Sequence, residues 1–92
     1  MKSLLAAAVL LALSLLPALS APLSDAQIRQ AIIQESIASY PGPCACPYNS
    51  ARNGSMCGRR SAYSRPGGYA PVCYPSDISQ SQVNAYRNSH GP

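Results

Sequence analysis

The feature that most constrains this chain is where its four cysteines fall. All of them lie between residues 44 and 73, in the stretch CACPYNSARNGSMCGRRSAYSRPGGYAPVC. The same stretch carries four of the seven basic residues, four of the six glycines and three of the six tyrosines. Any fold must gather those sulfurs within a chain of 92 residues, which is enough for one small domain.

The N-terminal segment bears on what the sulfurs do. Residues 1–20 read as a secretory signal: Lys2 supplies the positive start, residues 4–16 are apolar except for Ser14, and Pro17 ends the run. Ala18-Leu19-Ser20 then places small residues where a signal peptidase reads them. Cleavage after Ser20 is favoured, with Ala26 as the alternative, because a cut after Ala21 would leave Pro22 first. The apolar run is about 13 residues, short of the ~20 needed to span a bilayer. The segment is therefore expected to be removed, with no stable membrane insertion afterwards. That leaves residues 21–92 as one small cysteine-stapled domain in a secreted or periplasmic setting.

The processed chain is poor in core-forming residues. Its large aliphatics are Leu23, Ile28, Ile32, Ile33, Ile37, Met56, Val72, Ile78 and Val83. So small an apolar set does not by itself offset the entropy of ordering a chain this size, and scaffolds of this kind carry staples. An even number of cysteines in an exported chain reads as disulfides. Pairing Cys44 with Cys46 would close a very small strained ring. Two connectivities remain: a nested one, Cys44–Cys73 with Cys46–Cys57, which is preferred, and the crossed alternative. A zinc site fits less well, because only one close cysteine pair is present and His90 is remote.

Two helices are predicted to flank the cysteine segment. At Leu23-Ser24-Asp25-Ala26-Gln27-Ile28, Ser24 and Gln27 form a capping box and Leu23 and Ile28 a hydrophobic staple. This helix should span about 24–39, ended by Pro41 and Pro43. It carries two apolar rows, Ile28-Ala31-Ile32 leading to Glu35, and Ile33-Ile37-Tyr40. The second row is expected to be wrapped by the rest of the domain, with a partner subunit as the alternative cover. The same start grammar recurs at Ser79 and Gln82, giving a second helix over about 79–88 with Val83 and Tyr86 facing inward.

Between the helices, Asn53-Gly54 signals a turn. Arg65-Pro66-Gly67-Gly68 fits a type II turn with Gly67 at the position needing positive φ. The runs 61–64 and 69–73 on either side can pair as a short β-hairpin, provided Pro71 lies on an outer edge. The fold class expected is thus small, disulfide-rich and mainly α, with a loop-rich centre.

Chemistry is sparse. Once Lys2 leaves, six arginines oppose Asp25, Glu35 and Asp77, a balance of +3. Asp25 and Glu35 suit the first helix, Asp77 suits a turn or cap before the second, and His90 sits near the end of the chain. Three carboxylates and one histidine without a nucleophile motif do not assemble an acid–base site, so no enzyme, catalytic residue, cofactor or metal is expected. Arg52, Arg59, Arg60 and Arg65 cluster in the central segment, interleaved with Tyr48, Tyr63 and Tyr69. Guanidinium groups hold phosphate or carboxylate, and tyrosine faces stack on bases or sugars. The anion-binding candidates are accordingly Arg52, Arg59, Arg60, Arg65, Tyr63 and Tyr69. They are expected to face an anionic polymer or an envelope protein. A protein-interaction factor acting through the apolar helix 28–40 is the alternative, and nothing in the residues sets the oligomeric state.

The strings CACPYN, ARNGS, CGRRSAYSRPGG and PVCYPSD, over about residues 44–77, resemble a small cysteine-rich module of exported bacterial proteins. The resemblance implies a bacterial periplasmic or secreted setting and brings no activity or catalytic residue with it.

Overall fold

The computed structural model describes residues 22–90. The signal segment proposed for residues 1–20 lies outside them. The chain is mainly helical, with α1 at Asp25–Ser39 and α2 at Gln80–Ser89. Single 3-10 turns stand at Gly58–Arg60 and Pro75–Asp77. The predicted capping boxes are both formed. The Ser24 hydroxyl accepts the Gln27 amide and the Gln27 side chain accepts the Ser24 amide; Ser79 and Gln82 do the same for α2. Each box satisfies two of the amides that a helix start leaves open. α1 ends at Tyr40, whose backbone is extended, immediately before Pro41.

The two helices pack on each other through Ile28, Ile33, Ile78 and Val83, all buried, with Ile32, Val72 and Tyr86 around them. A second cluster of Ala45, Cys46 and Cys73 lies against Ile37 and Tyr40. Ile37 touches both clusters, so α1 carries the helix pair at one end and the cysteine loops at the other. Both apolar rows of α1 thus pack at least in part against the rest of the chain, with Ile28 and Ile33 buried and Ile32, Ile37 and Tyr40 half-buried.

All four cysteines are paired, Cys44 with Cys57 and Cys46 with Cys73. This is the crossed connectivity, and it overturns the preferred nested one. The reason lies in backbone bonds that sequence spacing does not reveal. Amides of Ala62 and Tyr63 bond the carbonyls of Cys44 and Ala45, at 2.9 and 3.0 Å. Amides of Cys57 and Gly58 bond the carbonyls of Asn49 and Pro47, both at 2.9 Å. Cys57 lies beside Cys44, its sulfur 3.9 Å from the Pro43 carbonyl, while Cys46 and Cys73 share the buried cluster. The paired sulfurs fit an oxidising, extracellular setting. Among the described residues no helix is long and apolar enough to cross a membrane.

The predicted turn at Asn53-Gly54 forms: Gly54 adopts φ +88° and its amide bonds Ala51. Two other expectations fail. The 61–64 and 69–73 runs do not pair, and the described residues contain no strand, only an isolated bridge between Ser50 and Met56. Their amides are engaged elsewhere: those of Ala62 and Tyr63 by residues 44 and 45, that of Val72 by the Ser36 hydroxyl, that of Cys73 by Asp77. Pro71 is buried rather than at an edge, which costs no ladder bond because no ladder exists. The positive φ expected at Gly67 falls at Gly68 (+95°) instead. Ala70 then enters the left-handed region at φ +43°, so the chain bends twice around Tyr69.

Candidate functional site

The carboxylates are committed to holding the fold. Asp25 binds Arg87 at 2.6 Å and accepts from Gln80 at 2.9 Å, tying the start of α1 to α2. The Gln80 bond first, and the Arg87 guanidinium next, hold its carboxyl below the ordinary aspartate value. Glu35 accepts from the Tyr86 hydroxyl at 2.7 Å, which raises that phenol. Asp77 accepts the amides of Cys73 and Tyr74, both at 3.0 Å, and the Tyr63 hydroxyl at 2.9 Å. Burial works against its ionised form, yet those amides and the phenol outweigh it and keep the carboxyl below its usual range. His90 is exposed and stacks on Tyr86 at 3.7 Å.

The six arginines divide into two groups. Arg87 pairs with Asp25 and donates to the Leu23 carbonyl, while Arg29 donates to the Ile78 carbonyl and to Gln80, so both join the helices. Arg52, Arg59, Arg60 and Arg65 are all exposed on the loops. Among the described residues the one ion pair is Arg87–Asp25, and no acidic residue occurs between Glu35 and Asp77. Arg60 does have an internal role, since its guanidinium bonds the Ser55 hydroxyl and the Met56 carbonyl at 3.0 Å and braces the 52–56 turn. Arg59 stands beside it on the same 3-10 turn. That turn is seated by Ser61, which is fully buried and bonds Ser64.

The tyrosines also part company. Tyr63 is directed to Asp77, and its ring meets Tyr74 edge-on at 5.5 Å. The carboxylate at its hydroxyl raises its pKa. Tyr48 meets the same Tyr74 ring at 5.7 Å and donates to the Cys73 carbonyl; burial first raises its pKa. These three rings brace the second disulfide, and Tyr63 is a structural residue as well as a candidate contact. Tyr69 behaves differently. It is 61% exposed and packs edge-on against Tyr40, centroids 5.1 Å apart. The pair walls a recess of about 220 Å³ together with Arg65 and Pro66, and a second of about 190 Å³ with Ser36 and Pro71.

The structure thus unites two of the predicted residues, Arg65 and Tyr69, at one concavity. Arg52, Arg59 and Arg60 stand on the loops outside its lining, and Tyr63 lies outside it too. Tyr40, expected in the second apolar row of α1, and Ser36 also line the concavity. The signal for Tyr40 is its place just after α1, where the chain turns from helix into cysteine loop. No protein-family model matches the chain, and no curated protein or solved structure aligns with it significantly.

Proposed function

We propose that the chain is a secreted or periplasmic, non-enzymatic binding module that presents its loop arginines to an anionic polymer or to the acidic face of an envelope protein. The observation that carries this reading is the division of the charges. All three carboxylates are held by partners within the chain, and among the described residues none of the four loop arginines has an acidic partner. The resulting field is local and positive, on a loop surface that two disulfides hold. The alternative, an interface on helix 28–40, has less apolar surface to offer, since Ile28 and Ile33 are buried and Ile32 and Ile37 are half-buried against the rest of the chain.

The test is retention of the oxidised protein on a sulfated-polysaccharide matrix across a salt series. Arg52→Ala with Arg59→Ala is the informative variant, since neither side chain bonds to the described residues, whereas Arg60 braces a turn. The logarithmic salt slope should fall by about 1–2, with the thermal midpoint unchanged. Absence of salt-dependent retention, or retention indifferent to these substitutions, would overturn the reading. Salt-insensitive association with a protein would support the helix interface instead.

A further inference from the structure

Taking the anionic-polymer reading as its base, we propose that the Tyr40–Tyr69 corner, with Arg65 on one side and Ser36 on the other, binds a carboxylated pyranose unit of an acidic polysaccharide. The two rings stand at 86° and form the shared walls of both recesses. Perpendicular rings cannot sandwich a planar base between them. They offer one ring face, negative in its quadrupole, to the aliphatic C–H groups of a puckered sugar ring. Each recess is smaller than the roughly 300–1,000 Å³ of a drug-sized pocket, which suits a single sugar ring seated at the corner between them.

The polar groups are placed for such a unit. Arg65 lines the first recess and has no acidic partner among the described residues, which leaves its planar fork for a carboxylate. Ser36 lines the second. Its oxygen accepts the Val72 amide at 2.9 Å, and its own proton makes no hydrogen bond to the described residues, leaving a donor for a sugar hydroxyl.

The backbone is shaped to hold the corner open. Ala70 occupies the left-handed region at φ +43° without being glycine, and departures of this kind gather at ligand clamps. Together with Gly68 it turns Tyr69 outward while Pro71 stays buried behind it. On the opposite wall, a Cβ at Gly42 would come within 3.2 Å of the Tyr40 ring. Glycine there lets that ring settle against the loop.

The experiment compares calorimetric binding of oligogalacturonate and of linear polyphosphate matched in charge, using the oxidised protein. Oligogalacturonate should bind roughly tenfold more tightly, as expected of one stacked ring. Tyr69→Ala should remove that margin and leave polyphosphate affinity unchanged, while Tyr69→Phe should keep it. In the unaltered protein, oligogalacturonate should shift the NMR signals of Tyr40, Arg65 and Tyr69, a readout that needs no variant. Equal affinities that ignore Tyr69→Ala, with shifts spread over Arg52 and Arg59 alone, would overturn the corner site and leave the arginine surface standing. Binding of neither polymer would overturn both. A proline-rich peptide that occupies the corner more tightly than oligogalacturonate would overturn the sugar as its occupant.

Discussion

Removing the Cys46–Cys73 bridge should harm this protein more than removing Cys44–Cys57, and for two separable reasons. The bridges span 27 and 13 residues of sequence. Loop-closure entropy assigns them about 3.5 and 3 kcal/mol, a difference well under 1 kcal/mol. The larger reason is position. Cys46 and Cys73 lie in the buried cluster against Ile37 and Tyr40, where they join the loops to the end of α1. Cys44–Cys57 closes a loop that four backbone hydrogen bonds already hold in place. Cys46→Ala with Cys73→Ala should therefore lower the thermal midpoint by roughly 15–25 °C, taking about 4–8 °C per kcal/mol for a domain of this size. Near-ultraviolet dichroism from the tyrosine rows should weaken with it. Cys44→Ala with Cys57→Ala should cost clearly less. Thiol titration after unfolding without reductant supplies the control: each double variant should expose no free thiol, since its two remaining cysteines are native partners. A Cys46/Cys73 variant that melts within about 5 °C of the parent, or that exposes two thiols, would refute the crossed pairing and the packing role assigned to it.

Two further outcomes follow from the caps and carboxylates. Asp25 and Asp77 hold their protons less tightly in the folded chain than in the unfolded one, where the ordinary value is 3.8. Their stabilisation is thus complete above that value and is lost as pH falls through the lower folded values. The thermal midpoint should be flat from about pH 7 to 5 and drop below about pH 4, and Asp77→Asn should remove part of that drop; a midpoint that rises on acidification would refute the assignment. Ser79→Ala should cost about 1 kcal/mol, read as a lower midpoint and reduced helical dichroism, because α2 has only ten residues and depends on its cap.

What could be read in the sequence was governed by local rules. Ser24 with Gln27, and Ser79 with Gln82, specify their helix starts within four residues, and both boxes form. The Asn53-Gly54 turn is likewise a contract between neighbours. The failures all involve partners far apart. Whether Cys46 meets Cys57 or Cys73 depends on which carbonyls the amides of residues 57, 58, 62 and 63 reach. The hairpin was lost for the same reason, since Ser36 and Asp77 take amides that a strand pairing would have used. At the candidate site, Arg65 and Tyr69, close in sequence, line one recess. Tyr40 and Ser36 come from α1 and join only because the 69–72 segment folds back onto that helix.

The same long-range bonds explain why the proposed binding surface is a loop surface. A segment without strands has amides and carbonyls that must still be satisfied. Here side chains do much of that work: Asn49 holds the Cys46 amide, Ser36 that of Val72, Asp77 those of Cys73 and Tyr74, and Tyr48 donates to the Cys73 carbonyl. The groups used are neutral or acidic. Arg60 is the exception among the loop arginines, and its bonds stay within six residues of its own turn. Asp77 is thereby drawn into the loop scaffold and Asp25 and Glu35 are held at the helices, while Arg52, Arg59 and Arg65 are left exposed with no ion pair among the described residues. Stapling the loops with sulfur rather than with ion pairs is what leaves these cations free to meet an external anion.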